Sequence, residues 1–200
     1  MKSIVVLISG SGSNLQAIID ACAAGFIAGR ISAVVSNKAG VYGLQRAAEA
    51  NIPVVVLDHK AYPDRQSYDV ALQQAIDSYQ PDLVVLAGFM RILTPAFVAQ
   101  YPNRIINIHH SFLPAFIGAN PYRQAFDRGV KIIGATAHFV NDHLDEGPII
   151  QQMVAQVDHN FSADDMARAG RDVEKAALSK ALQYIVEDRV FVHGNKTVIL

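Results

Sequence analysis

Residues 3–15 read Ser-Ile-Val-Val-Leu-Ile-Ser-Gly-Ser-Gly-Ser-Asn-Leu, and this stretch decides the fold. Its unbroken aliphatic run is typical of a parallel strand that is buried on both faces. Two glycines end the run, and a helical pattern follows at residues 14–24. A strand, a glycine turn and a helix are the first parts of a right-handed βαβ crossover, so the stretch predicts an α/β protein.

The same alternation continues as far as residue 110. Short apolar runs predict strands at residues 3–9, 31–36, 53–57, 83–87 and 104–109. Helical patterns lie between them at residues 14–24, 41–51 and 64–79, and a short helix follows Thr94 and Pro95, which suit its N-cap and first position. This order predicts a doubly wound, mostly parallel, Rossmann-like sheet.

The pattern changes after residue 130. Strands are predicted at 131–140 and 149–157, joined by a charged turn, and a helix of roughly 25 residues begins after Ser162, which has an acid three positions later. A hairpin with its turn at residues 193–195 closes the chain. These elements predict antiparallel additions at the C-terminal end. Because no Pro-, Gly- or Ser-rich linker interrupts the chain, we expect residues 1–200 to form a single domain.

Composition excludes several classes of protein. The 200 residues are 51% hydrophobic and 18% charged, which suits a well-filled core. A net charge of −1 offers no electrostatic footprint for nucleic acid or an anionic membrane. No apolar run approaches the ~20 residues of a membrane span, and the first run is too short for a secretory signal. The single cysteine, Cys22, fits a reducing compartment, so we expect a cytoplasmic protein.

The glycine loop, residues 10–14, is the first candidate binding site. Glycines allow close approach to an anion, and a helix start supplies free N–H groups with a positive dipole end. Leu15 occupies the last glycine position of the dinucleotide fingerprint, and the lysine of a P-loop is missing. The loop therefore favours a phosphate monoester, and a plain strand-to-helix turn is the alternative.

The end of the fifth predicted strand is the candidate catalytic site. Asn107 and His109 point to the same side of a strand, and an amide beside an imidazole suits acyl transfer. A structural histidine is the alternative. A carboxylate from Asp142, Asp145 or Glu146 would keep the imidazole charged, and the residues alone do not choose among the three. The histidines lack ligand spacing such as H-E-x-x-H, so no metal is expected.

Longer segments resemble the superfamily of 10-formyltetrahydrofolate-dependent formyltransferases. Residues 4–19 and 86–93 make the first hundred residues similar to glycinamide ribonucleotide (GAR) formyltransferase of purine biosynthesis. Residues 106–118, 131–138 and 169–175 make the second hundred more similar to formyltetrahydrofolate deformylase. The resemblance therefore implies a hybrid, either an engineered chimera or a divergent natural enzyme. It makes residues 1–100 a nucleotide- and phosphate-binding half and residues 101–200 a catalytic and folate-binding half.

The resemblance also implies the site. Asn107, His109 and Asp145 would be the catalytic trio, and 10-formyltetrahydrofolate would be the formyl-donor cosubstrate, with no metal. The phosphate and nucleotide would be held by Gly12, Ser13, Asn14 and Glu174. The folate would be held by Arg65, Met90, Arg91, Ile92, Leu93, Asn141, Asp142, His143 and Leu144. A homodimer is the assembly that the family suggests.

Three departures concern the acceptor of the formyl group. His110 stands where the transformylase pattern has proline, residues 120–122 follow the deformylase pattern, and Arg171 replaces a glutamine that helps to hold the nucleotide. We expect the GAR amine as the first acceptor, with some leakage to water, because a phosphate loop has no obvious use in a hydrolase. Water, giving formate and tetrahydrofolate, is the second hypothesis. A catalytically inactive folate- or nucleotide-binding module is the third.

Overall fold

A computed structural model describes all 200 residues, and the chain divides into two compact units, Met1–Ile106 and Asn107–Leu200. The first unit contains β1 (Lys2–Ile8), α1 (Ser13–Ala23), β2 (Gly29–Ser36), α2 (Tyr42–Glu49), β3 (Val54–Val56), α3 (Arg65–Asp77), β4 (Leu83–Leu86) and α4 (Pro95–Gln100), with a short 3-10 helix at His59–Ala61. Strand β5 (Ile105–His109) begins in the first unit and ends in the second. The second unit continues with α5 (Pro121–Arg128), β6 (Ile132–Phe139), β7 (Ile149–Gln156), α6 (Ala163–Val186), β8 (Val190–His193) and β9 (Lys196–Ile199).

The sheet of the first unit has the strand order β3-β2-β1-β4-β5. The pairs β1–β2, β1–β4 and β2–β3 are parallel, and Val6 lies opposite Val34 on one side and Val85 on the other. Because β1 has a strand on each side and helices beyond, Ile4 to Ile8 are fully buried. The expectation that every apolar run is buried is wrong for β3. Val54 and Val56 are exposed, since an edge strand has only one neighbour.

Helices α3 and α4 of the first unit begin where their cap residues predict. The Asp64 carboxylate accepts a hydrogen bond from the Ser67 N–H at the start of α3, and the Thr94 hydroxyl accepts one from the Phe97 N–H at the start of α4. Helix α1 instead starts from Gly12, whose backbone is left-handed with φ of 74°. No side chain caps this helix start.

In the second unit the strand order is β5-β6-β7, and β6 and β7 are antiparallel. Helix α6 packs against both strands and begins with the predicted capping box between Ser162 and Asp165. Strands β8 and β9 form a separate antiparallel hairpin. The predicted fold class, a mostly parallel α/β sheet with antiparallel additions, is confirmed. None of the helices combines the length and the apolar character needed to cross a membrane.

Helix α5 is the one α-helix that the sequence analysis missed. Its apolar residues are few, although Tyr122, Ala125 and Phe126 follow helical spacing. Its ends nevertheless carry a signal, since Pro121 occupies the first turn and Gly129 ends the helix with φ of 72°. The omission matters because α5 carries Tyr122, which reaches the candidate site.

Candidate active site

Strand β5 ends in two of the predicted catalytic side chains, Asn107 and His109. Asp145 lies in the turn between β6 and β7, and its Oδ2 is 3.5 Å from His109 Nδ1. Only 7% of the His109 side chain and 6% of the Asp145 side chain are exposed. The separation is long for a hydrogen bond, so the contact between the two side chains is mainly Coulombic.

A loop that follows β5 holds both groups. The Phe116 carbonyl lies 2.9 Å from His109 Nε2, and the Gly118 N–H donates to Asp145 Oδ2 at 3.1 Å. Phe116 has φ of 57°, a left-handed backbone that is unusual for an aromatic residue and stores strain. Because each ring nitrogen of His109 faces an oxygen acceptor, a doubly protonated ring fits both contacts.

The structure resolves the choice among the three acids in favour of Asp145 facing His109. The Asp142 carboxylate is exposed and lies 2.9 Å from Nδ1 of the exposed His143. Glu146 is also exposed. Only tertiary folding could make this selection, because the three acids lie within five residues of one another.

Asn107 contacts a buried histidine on β6. Its Nδ2 lies 3.3 Å from His138 Nε2, and His138 Nδ1 lies 2.9 Å from the Phe139 carbonyl. A carbonyl only accepts, so Nδ1 carries the proton and the unprotonated Nε2 accepts from the Asn107 amide. Burial lowers the pKa of His138, which keeps this neutral form. His138 therefore fixes which way the Asn107 amide points.

His110, the residue after His109, contacts a buried carboxylate. His110 Nδ1 lies 2.7 Å from Glu174 Oε1 of α6, and the Tyr122 hydroxyl of α5 donates to the same oxygen. Only 2% of the Glu174 side chain is exposed. Burial, and next the Glu174 charge, raise the pKa of Tyr122, so its hydroxyl stays a donor. Gly170 is needed beside it, because a Cβ there would overlap the Tyr122 ring.

The predicted phosphate site lies at the start of α1 in the first unit. Gly12 is the N-cap residue, Ser13 is the first helical residue and Asn14 is buried. A Cβ on Gly12 would come within 2.7 Å of the Gly43 Cα of helix α2. Arg46 Nε donates to the Ser11 carbonyl at 2.8 Å and braces the loop. With no side-chain cap present, the first N–H groups of α1 suit an anion.

The predicted folate residues fall into two groups, one in each unit. In the first unit, Arg65 is exposed at the start of α3, and Met90 and Ile92 are exposed after β4, whereas Leu93 is buried. The Arg91 guanidinium lies 4.6 Å from the centre of the Tyr68 ring. In the second unit, Asn141 Oδ1 accepts from the His143 N–H at 3.0 Å, and Leu144 is exposed. Exposed apolar side chains beside polar ones are typical of ligand-contacting loops.

Sequence reasoning missed the supporting role of three of these residues. It weighed His110 and His138 among candidate metal ligands, and it otherwise treated His110 and Tyr122 as departures from a family pattern. The structure contains no group of three or more His, Cys, Asp or Glu side chains that could hold a metal ion. His138 Nε2 lies 3.3 Å from the Asn107 amide nitrogen, and the spacing of 31 residues between the two carries no local signal.

The fold and the site define an α/β acyl-transfer enzyme, with an amide and an imidazole at the end of a parallel strand. The formyl transferase family model matches residues 2–182, and the chain belongs to this family. Its predicted family is therefore confirmed, and the chain is a 10-formyltetrahydrofolate-dependent enzyme.

Relatives of two activities match the chain. It is 53% identical over 199 residues to the formyltetrahydrofolate deformylase of Escherichia coli K12, covering 100% of this chain and 70% of the relative. It is 47% identical over 193 residues to the phosphoribosylglycinamide formyltransferase of the same strain, covering 96% of this chain and 91% of the relative. The structure of glycinamide ribonucleotide transformylase 1 from Symbiobacterium toebii matches with a TM-score of 0.98 and 44% identity, over 100% of this chain and 94% of that one. The deformylase likeness thus extends across both halves of the chain.

Proposed function

We propose that this chain hydrolyses 10-formyltetrahydrofolate to formate and tetrahydrofolate. The observation that carries the proposal is that the Glu174 carboxylate is already hydrogen-bonded within the protein. The resemblance gave this carboxylate to the nucleotide, but its Oε1 already accepts from Tyr122 and faces His110 Nδ1 at 2.7 Å.

The burial of Glu174 makes its release costly. With 2% of the side chain exposed, a nucleotide could use Oε1 only after displacing the Tyr122 hydroxyl and the His110 imidazole. The Tyr122 hydroxyl, left without a partner beside this buried carboxylate, would cost about 1–3 kcal/mol. A water acceptor needs no such displacement. The 53% identity to deformylases over the whole chain supports the same conclusion.

The trio would perform the acyl chemistry in this proposal. The acceptor attacks the formyl carbon, and the Asn107 amide and the protonated His109 stabilise the tetrahedral oxyanion. Asp145 Oδ2 lies 3.5 Å from His109 Nδ1, so its carboxylate faces the ring. A proton then passes from His109 to the folate nitrogen as the carbon–nitrogen bond breaks. The cytoplasm remains the proposed location, since a single cysteine fits a reducing compartment.

Transfer to the GAR amine is the second candidate, and the glycine loop favours it. Gly12, Ser13 and Asn14 lie at an uncapped helix start, which suits a phosphate monoester. The relative that is 47% identical and named phosphoribosylglycinamide formyltransferase supports it as well. Sequence analysis ranked the GAR amine first and water second. The hydrogen bonds that Glu174 makes within the protein favour water instead.

The test is consumption of 10-formyltetrahydrofolate by the purified protein with and without GAR. We expect tetrahydrofolate and formate to accumulate at the same rate in both assays. Formylated GAR as the main product, with little turnover in its absence, would contradict hydrolysis and establish transfer.

A variant of the glycine loop separates the two activities further. Ser13→Asp adds a negative charge where a phosphate would bind, although acids are otherwise favourable in a first helical turn. Like-charge opposition costs several kcal/mol, so any transfer to GAR should fall at least ~10-fold relative to hydrolysis. An unchanged ratio of the two products would mean that the loop does not bind the nucleotide.

A further inference from the structure

We propose that His110, oriented by Glu174, accepts the proton of the water molecule that attacks the formyl carbon. The inference rests on the proposed hydrolysis and adds the group that activates the acceptor. It would make His110 a catalytic residue and Glu174 its positioning residue.

The contact between His110 and Glu174 has the geometry of a base and its orienting carboxylate. Nδ1 and Oε1 are 2.7 Å apart, so Nδ1–H donates to the carboxylate. The proton on Nδ1 leaves Nε2 with its lone pair, and no protein group bonds to Nε2. The His110 side chain is 35% exposed, whereas only 2% of its partner Glu174 is exposed.

Tyr122 and Gly170 hold the carboxylate in place. The Tyr122 hydroxyl donates to Oε1, and its ring lies edge-on to the His110 ring with centroids 5.9 Å apart. Gly170 leaves the space that the Tyr122 ring fills. A fixed anion opposite Nδ1 stabilises the imidazolium that forms when Nε2 takes a proton.

His110 also borders a space of substrate size. A cavity of about 770 Å³ is lined by His110, Tyr122 and Phe116, among others. Pockets for small molecules are typically about 300–1,000 Å³. Phe116 belongs to this lining, and its carbonyl contacts Nε2 of His109. His110 therefore lines the cavity, and the loop that carries Phe116 connects the cavity lining with His109.

Hydrolysis needs an acid and a base at the same time, and His109 cannot be both. Each of its ring nitrogens faces an oxygen acceptor, from Asp145 and from Phe116, which suits a proton donor. A second group must take the proton of water. Two titratable groups in different surroundings commonly divide these roles, and His110 has the free lone pair.

The water oxygen forms a bond to the formyl carbon, and one water proton passes to His110 Nε2. The carbon–nitrogen bond then breaks, and the folate nitrogen takes a proton from His109. Formic acid leaves and ionises in solution, and the proton on His110 returns to His109 through solvent, so both rings regain their starting states.

His110→Gln is the decisive variant. A glutamine amide still donates to Glu174 but cannot take a proton from water, so the fold and the carboxylate are preserved. We expect kcat for hydrolysis to fall by at least ~10²-fold, the lower range for a positioned proton acceptor, with KM for 10-formyltetrahydrofolate little changed. His159→Gln is the matched control, since exposed His159 pairs with Asp158 at 3.3 Å, and it should retain the parent kcat.

The pH profile separates a catalytic from a structural role. A general base works only in its unprotonated form, so the parent should lose kcat at acidic pH, and this acidic limb should be absent in His110→Gln. The titratable and charged groups around His110 are Glu174 and Arg171 of α6, Tyr122 and Arg128 of α5, and Lys131 before β6. None of them is removed by the substitution, so the lost limb reports His110.

Each outcome bears on a different claim. If the parent hydrolyses 10-formyltetrahydrofolate and His110→Gln keeps half of its kcat or more, His110 is not the base. An unchanged acidic limb in His110→Gln has the same meaning. Either result leaves the proposed hydrolysis standing. A parent with no turnover in the absence of GAR overturns both. Thermal unfolding of each variant accompanies the kinetics. If His110→Gln unfolds early, Glu174→Gln, which keeps the shape but removes the charge, must show the same loss of kcat for the proposal to survive.

Discussion

In the glycine loop of the first unit, the groups that suit an anion belong to the backbone, whereas the histidine cluster of the second unit works through side chains. We define this cluster as Asn107, His109, His110 and His138 with the carboxylates of Asp145 and Glu174. The loop depends on small residues that let two helices approach, as Gly12 and Gly43 do. The cluster depends on partners far along the chain, 31 residues away for Asn107 and 64 for His110. A backbone site can therefore be recognised from a sequence motif, whereas a side-chain site forms only when the fold brings distant residues together.

The largest expected effect lies in the cluster. His109→Ala or Asp145→Asn should lower turnover by at least ~10²-fold with little change in folate affinity, the scale of positioned proton donors and oxyanion groups. Steady-state kinetics together with folate binding by calorimetry measure the two quantities separately. Asp158→Asn, which alters an exposed carboxylate beside His159, is the control and should retain the parent kcat. Half of the parent activity in either trio variant would break the assignment.

A substitution in the loop should act on stability instead. A Cβ on Gly43 would overlap Ile8 Cδ1 and lie 3.0 Å from the Gly10 carbonyl oxygen, so Gly43→Ala should lower the free energy of unfolding by about 1–3 kcal/mol. Urea unfolding measures it. Ala48→Gly, at an exposed position of the same helix, should cost less, at most ~1 kcal/mol. Equal losses would mean that close backbone packing does not shape the loop.

The orientation of Asn107 by His138 should have an intermediate effect. His138→Phe keeps a ring of similar size but removes the acceptor of the Asn107 amide, so kcat should fall about tenfold, less than loss of the amide itself. A double-mutant cycle decides the mechanism, because His138→Phe should cost little kcat in an Asn107→Ala background. His138→Gln offers an oxygen acceptor and should recover part of the loss. Additive effects would make His138 merely structural.

The smallest effect concerns pH. Burial lowers the pKa of His138, so on acidification His138 takes up a proton more readily in the unfolded chain than in the folded chain. The stability that depends on neutral His138 is present above about pH 6.5, the ordinary histidine pKa, and is lost as the pH falls through the lower folded pKa. Urea unfolding from pH 7.5 to 5 should therefore show a steeper acidic loss in the parent than in His138→Phe. His159→Gln, at an exposed position, should follow the parent curve.

Local features of the fold could be predicted from the sequence, whereas features that depend on distant contacts could not. The strands of the first unit and the capping box of α6 were found because periodicity and caps are local features. Helix α5 was missed since its apolar residues are few, although Pro121 and Gly129 marked its ends. The exposure of β3 could not be read from its valines, because only the order of strands makes it an edge.

The family, the α/β class, the glycine loop and the shared face of Asn107 and His109 could all be predicted from local patterns in the chain. These features depend on the periodicity of a strand, the chirality of a glycine and the motifs that accompany them. Only the tertiary structure decided that Asp145 faces His109, that His138 orients the Asn107 amide and that Glu174 is engaged by His110 and Tyr122. Each of these contacts joins residues at least 31 positions apart, and local sequence does not encode which distant side chains come to share a buried space.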